Sequence, residues 1–237
     1  VSFRYRPELP EVLRGINLSI QPGQTVAVVG PTGAGKTTIA NLIARFYDVS
    51  GGAVCIDGVD VRTVTQASLH RQIGIVPQDS FLFSGSIAEN IRFGKPEASD
   101  EEVERAARLA NAHDFIAGKP DGYQTRLQEG ASNLSVGQRQ LVCIARAILT
   151  DPRILILDEA TANIDSLTEA LIQEALFRLL QGRTAVVIAH RLSTIRAADV
   201  ILVIQDGQIV EQGQHEELLR CGGAYAALYQ RQFAEER

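Results

Sequence analysis

Four apolar residues, Val26–Val29, run directly into Gly30-Pro31-Thr32-Gly33-Ala34-Gly35-Lys36-Thr37, and a helical pattern follows from about Lys36 to Phe46. This stretch restricts the chain more than any other. The spacing G-x-x-x-x-G-K-[ST] between a strand and a helix makes a loop whose backbone N–H groups converge on phosphate oxygens. The helix N-terminus behind it adds the positive end of its dipole. In such a loop Lys36 reaches the β- and γ-phosphates, and the Thr37 hydroxyl is offered to Mg²⁺. The expected binding residues are therefore Gly30, Pro31, Thr32, Gly33, Ala34, Gly35, Lys36, Thr37 and the neighbouring Thr38.

Three further short apolar runs follow, Ile154–Leu157, Ala185–Ala189 and Val200–Ile204. Uniformly apolar runs suit a parallel sheet covered on both faces. Their alternation with amphipathic helices argues for an α/β fold. One such helix is expected to start at Ser166, with Glu169 completing a capping box. Its Ile172, Ala175, Leu176 and Leu179 form the stripe of a helix facing a sheet. Residues 1–25 and 50–61 read as shorter β segments with turns at Gly15, Pro22-Gly23, Gly51-Gly52 and Asp57-Gly58, a small antiparallel layer. Residues from about 84 to 150 read as mostly helical. Ser99 with Glu102 caps one helix there, and another spans roughly Val136–Leu149. This block reads as an insertion into the α/β core, which leaves 1–83 and 151–237 as the core of one domain over 1–237.

Asp158 closes the run Ile154–Leu157, at the carboxyl edge of the expected sheet, where open α/β sheets bind ligands. It is a candidate to hold Mg²⁺ through water, and Glu159 is the natural carboxylate to orient an attacking water. The rest of the composition excludes rather than identifies. Across 237 residues, 45% are hydrophobic and 22% charged, so a sizeable core is expected and disorder is excluded as the main state. A net charge of −5 argues against a nucleic-acid partner. Cys55, Cys143 and Cys221 are spaced for neither a disulfide framework nor a metal box, which fits a reducing cytosolic setting. Cys143 reads as a small core residue. No apolar run approaches the ~20 residues that cross a bilayer, and no signal peptide is expected. Any membrane connection is then expected from a partner or from sequence beyond this chain. The absence of Met, even at position 1, is what a segment of a longer gene product would show.

Asn133-Leu134-Ser135-Val136-Gly137-Gln138-Arg139-Gln140 narrows the reading. Together with the phosphate loop and Ile154–Thr161, it makes the chain resemble the nucleotide-binding domain of an ABC transporter from Val1 to about Phe233. The resemblance implies a P-loop NTPase (RecA-like) core with a parallel sheet, a small antiparallel β layer and an inserted helical subdomain at 84–150. It implies ATP and Mg²⁺ as cofactors. By position, Tyr5 matches the aromatic that stacks on adenine, and Gln78 the residue that touches Mg²⁺ and senses a transmembrane partner. His190 matches the switch histidine near the γ-phosphate, and Asp165, in Ala162-Asn-Ile-Asp165, the loop that communicates across a dimer. The implied catalytic set is Glu159, His190, Lys36 and Gln78, and the implied metal set Thr37, Gln78 and Asp158. Ser135, the Gly137 N–H and Gln138 would meet ATP held by a second domain, so the resemblance implies a head-to-tail dimer around two ATP. Val136 stands where the family more often has Gly, beside the contacting groups. Glu129-Gly130-Ala131-Ser132 only partly fits the acidic loop that precedes this stretch in exporters.

Phe81-Leu-Phe-Ser-Gly-Ser-Ile-Ala-Glu-Asn-Ile91 resembles the exporter pattern. In exporters a coupling helix of the transmembrane domain docks at about Gln78–Ile91, the helix-in-groove mode. The opening Val1-Ser-Phe-Arg-Tyr5 and the closing Gln212-Gly-Gln-His215-Glu-Glu-Leu218 also look exporter-like. The function implied is an ATP-hydrolysing motor domain of an exporter at the cytoplasmic face of a membrane. A soluble ABC ATPase of DNA repair or translation is the alternative. Such proteins carry coiled-coil, zinc or paired-domain insertions and basic surfaces, features this sequence does not display.

Overall fold

The computed structural model describes residues 1–159 and 164–233, with the side chains of Gln232 and Phe233 excepted. Ala160, Thr161, Ala162 and Asn163, which end one quoted stretch and begin another, lie outside the described residues. In chain order the strands are β1 (Thr25–Val29), β2 (Cys55–Ile56), β3 (Val59–Asp60), β4 (Ile73–Val76), β5 (Gly85–Ser86), β6 (Arg126–Leu127), β7 (Ile154–Asp158), β8 (Thr184–Ile188), β9 (Val200–Gln205) and β10 (Gln208–Gly213). The helices are α1 (Lys36–Ile43), α2 (Gln66–His70), α3 (Ile87–Arg92), α4 (Asp100–Leu109), α5 (His113–Ala117), α6 (Val136–Thr150), α7 (Ser166–Leu180), α8 (Leu192–Ala197), α9 (His215–Cys221) and α10 (Ala224–Phe233).

The main sheet has the order β10-β9-β1-β8-β7-β4. β1 lies parallel to β8, with Val26 opposite Val186, and parallel to β9, with Val26 opposite Val200. Parallel neighbours need crossover connections, and the helical segments between these strands supply them. The four apolar runs read from the sequence are β1, β7, β8 and β9. β4 and β10 carry no such run. β10 pairs antiparallel with β9 at the sheet edge, with a register shift between Ile209 and Glu211. Its burial alternates exposed and half-buried, so it never shows the continuous apolar signal of a central strand.

The expected antiparallel layer is smaller than its sequence suggested. Among the described residues it comprises the β2–β3 hairpin and two isolated bridges, Ser2 with Gly51 and Phe3 with Leu13. Pro7, Pro10 and Pro22 each remove a ladder donor from the first 25 residues, which limits regular pairing there.

The chain forms two compact units. The first comprises Val1–Ile73, Ile156–Glu159 and Thr184–Arg237; the second comprises Gly74–Leu155 and Ala160–Arg183. In the first, Phe3, Leu13, Val26, Val28, Ile39, Leu42, Val186, Leu202 and Ile204 form one buried cluster. Burying each such side chain contributes about 1.5–3 kcal/mol before entropy is subtracted. In the second, α3, α4 and α7 pack on α6, whose Leu141, Val142, Cys143, Ile144 and Ala145 are buried. The cap expected at Ser99 and Glu102 forms reciprocally, and Ser86 with Glu89 caps α3 the same way. α7 does begin at Ser166, but its capping oxygen comes from Asp165, which accepts from the Thr168 N–H at 2.9 Å. Aspartate caps as well as serine, and its place one residue earlier leaves Ser166 inside the first turn.

Candidate active site

The loop between β1 and α1 takes a path that only glycine permits at two points. Gly30 has φ 150°, and a Cβ there would lie 2.1 Å from the Ile204 carbonyl oxygen of β9. Gly35, the left-handed N-cap residue of α1 at φ 105°, would press a Cβ to 2.6 Å from the Leu13 side chain. Lys36 is 9% exposed, and its Nζ donates to the carbonyl oxygens of Gly30 at 2.8 Å and Pro31 at 3.0 Å. The ammonium is thus held back over its own loop. Burial lowers its pKa, and nearby Asp158 opposes that shift. Pro31, Thr32, Gly33 and Thr37 are exposed, whereas Ala34 is buried against the core.

Asp158, the last residue of β7, faces this loop: the Thr37 hydroxyl donates to its Oδ2 at 3.4 Å. A hydroxyl and a carboxylate are the hard oxygen donors that suit Mg²⁺, with waters and phosphate oxygens completing the shell. The residues present therefore fit that ion. Glu159 is 4% exposed. Its Oε1 accepts from the Thr194 hydroxyl at 2.5 Å, and its Oε2 from the backbone N–H groups of His190 at 3.2 Å and Arg191 at 3.3 Å. Burial pushes the Glu159 carboxyl up, and these bonds with the Arg191 charge oppose it. Burial, then Lys36, push the half-buried His190 down, and Asp158 pulls it back. Lys36, Asp158 and His190 are thus electrostatically coupled, Thr37 joins them through its hydrogen bond to Asp158, and Glu159 is tied to the same segment by the His190 N–H.

Tyr5 belongs to the same unit and is 41% exposed. Its hydroxyl shares a 3.0 Å hydrogen bond with Thr38 Oγ1, and its ring meets Phe3 and Tyr47 edge-on. The buried side chain of Thr38 thereby ties Tyr5 to α1.

The second unit carries the other expected residues. The Ser135 hydroxyl oxygen accepts from the Gln138 N–H at 3.2 Å, and Gln138 Oε1 accepts from the Ser135 N–H at 3.2 Å, a capping box that starts α6. Gly137 is buried, and a Cβ there would lie 2.3 Å from Thr168 Cγ2 and 3.2 Å from Ile164 Cγ2. Asp165 caps α7. Gln78 and Glu129 are exposed in this unit. Along Phe81–Ile91 the side chains divide: Leu82, Ile87 and Ile91 are buried, whereas Phe81 and Phe83 are exposed. Phe83 stacks on Phe93 at 4.1 Å, and the Arg146 guanidinium lies 5.4 Å and 5.6 Å from their ring centres. Arg146 also donates to the Asn90 carbonyl at 2.8 Å.

Three contributors went unread in the sequence. Thr194 is 35 positions from the carboxylate it binds, with no motif spacing to connect them. Arg146 resembles any basic residue on a helix. Tyr47 offered the one available signal, a Phe46-Tyr47 pair following the helix of the phosphate loop.

Residues 13–162 match the ABC transporter family. An uncharacterized ABC transporter ATP-binding protein, YfiC, of Bacillus subtilis is 55% identical over 98% of this chain and 38% of its own length. An ATP-dependent lipid A-core flippase of Syntrophus aciditrophicus is 53% identical over 100% of this chain and 39% of its own. The structure of a bacterial Atm1-family ABC exporter with ATP bound superimposes with a TM-score of 0.91 at 47% identity, covering 98% of this chain and 41% of that one. The chain spans about two fifths of the length of the curated relatives it matches.

Proposed function

The chain belongs to the ABC transporter family, and from that premise we propose that it is the Mg-ATP-binding and hydrolysing motor domain of an exporter. The observation that carries this reading is the grouping of Lys36, the Thr37–Asp158 pair and Glu159 under the His190–Arg191 turn. The names of two relatives, a lipid A-core flippase and a putative multidrug export protein of Staphylococcus aureus, support export as the process driven.

In this mechanism Lys36 exchanges its two carbonyl partners for β- and γ-phosphate oxygens. Thr37 and Asp158 would hold Mg²⁺, which when bound neutralises charge on the phosphates. Water attacks the γ-phosphorus, the bond to the ADP oxygen breaks, and Glu159 accepts the proton of the attacking water. Both Glu159 oxygens are engaged, by Thr194 and by the backbone at 190–191. Movement of that backbone, as His190 engages the γ-phosphate, frees the carboxylate for the water. Tyr5 takes the adenine by stacking. Ser135, Gly137 and Gln138 at the start of α6 contact the ATP of a second, head-to-tail domain, a use of the positive helix end, and Asp165 communicates across that dimer. The exposed Phe81 and Phe83 receive a coupling helix of the transmembrane domain, at the cytoplasmic face of the membrane.

Light scattering of the Glu159→Gln protein with and without Mg-ATP, paired with phosphate-release kinetics, tests this. Turnover should fall by about 10²–10⁴ while ATP binding persists and a dimer accumulates only with ATP. Unchanged turnover would remove Glu159 from its role. A monomer that binds ATP would point to a non-identical partner or to a requirement for the transmembrane domain. Lys36→Ala should instead weaken ATP binding itself, read by fluorescence titration.

A further inference from the structure

A stacking platform is useful only if its plane is held before the base arrives, because ordering an exposed side chain on binding subtracts from affinity. Tyr5 is held at three points. Phe3 meets its ring at 4.9 Å and 81°, Thr38 Oγ1 binds its hydroxyl at 3.0 Å, and Tyr47 meets its ring at 5.1 Å and 89°. Two of these supports belong to the interior: Phe3 is 2% exposed and Thr38 5%. Tyr47 is different. It follows α1 in the chain, is 45% exposed, and also touches Phe3 at 5.8 Å. Core burial does not account for a large ring left this open against another open ring. A perpendicular ring does account for it, since edge-to-face pairs have a preferred geometry and so restrict the partner's plane.

We propose that Tyr47 is a positioning residue for the nucleotide base: it fixes the ring of Tyr5 in the orientation on which adenine stacks. This rests on the assignment of Tyr5 as the stacking residue. The support Tyr47 lends is a ring edge or face, and its hydroxyl is not needed. It acts on the base end of the nucleotide and not on the phosphate loop, whose glycines and Lys36 are fixed by other contacts.

The test is calorimetric titration of the purified chain with Mg-ATP and, separately, with inorganic tripolyphosphate. Tyr47→Ala should weaken ATP binding about 2- to 10-fold, the range of one aromatic pair. Tripolyphosphate affinity and kcat at saturating ATP should not change, and Tyr47→Phe should bind ATP as the parent does. The Tyr5→Ala, Tyr47→Ala double variant should bind ATP no more weakly than Tyr5→Ala alone, because Tyr47 acts through Tyr5. Multiplying effects in the double variant, or a parallel loss of tripolyphosphate binding, would overturn the proposal, as would failure of Tyr47→Phe. If Tyr5→Ala weakens ATP binding and Tyr47→Ala does not, this inference alone falls. If Tyr5→Ala has no effect, the stacking assignment falls and takes the inference with it.

Discussion

Gly30 and Thr194 act at the scale of single atoms and differ in how visible they are. At Gly30 a methyl group would meet the Ile204 carbonyl at 2.1 Å, with φ at 150°. Gly30→Ala should therefore cost more than about 1 kcal/mol, read as a lower urea midpoint. Thr194→Val leaves one oxygen of the buried Glu159 carboxylate without its 2.5 Å donor. The expected loss is about 1–3 kcal/mol, largely restored by Thr194→Ser, in the same unfolding measurement. Gly30 was legible because phosphate binding demands glycine at a fixed offset from Lys36 and Thr37. Thr194 was not, because a hydroxyl that serves a carboxylate needs only to be near it in space. The same distinction separates Asp158, readable at the end of an apolar run, from Tyr47, whose partners Phe3 and Tyr5 lie far back in the sequence with no motif spacing to connect them.

At the scale of elements, what buries both faces or repeats every turn was readable, and what sits at an edge was not. β1, β7, β8 and β9 are apolar throughout their cores, so their sequences contain no competing pattern. β10 presents alternate residues to solvent and pairs on one side, so its apolar content is halved. The cap of α4 was anchored by spacing, but α7 had two adjacent residues, Asp165 and Ser166, either able to cap, and only the backbone path decides between them. Gly137 shows an element constraint hidden inside a motif. It lets α6 approach α7, and Gly137→Ala would drive Cβ to 2.3 Å from Thr168 Cγ2. Overpacking of this kind costs about 1–3 kcal/mol. The paired change Gly137→Ala with Thr168→Ser, which removes the opposing methyl, should recover part of that loss in thermal unfolding.

At the scale of the whole chain, pH dependence is set by groups whose folded environment differs from water. His215 is 7% exposed, its Nδ1 lies 2.6 Å from the Tyr225 hydroxyl, and its ring also meets Tyr229. Burial lowers its pKa, Arg196 adds to that, and Glu216 opposes it. The folded protein then binds the His215 proton less readily than the unfolded chain does. The associated stability is present above the ordinary value of 6.5 and is lost as pH falls below it. Urea unfolding from pH 7.5 to 5 should show a decline that is shallower in His215→Gln. A last consequence comes from the position of β1 between β8 and β9. Both hydrogen-bonding edges of β1 wait for partners that begin at Thr184 and Val200. During synthesis at roughly 5–20 residues per second, the intervening chain takes roughly 8–30 s to emerge from the ribosome. For that interval the apolar strand ahead of Gly30 is unpaired, and the glycine has no Ile204 carbonyl to fit against. The loop that most restricts the fold is thus among the last parts of its unit to be completed.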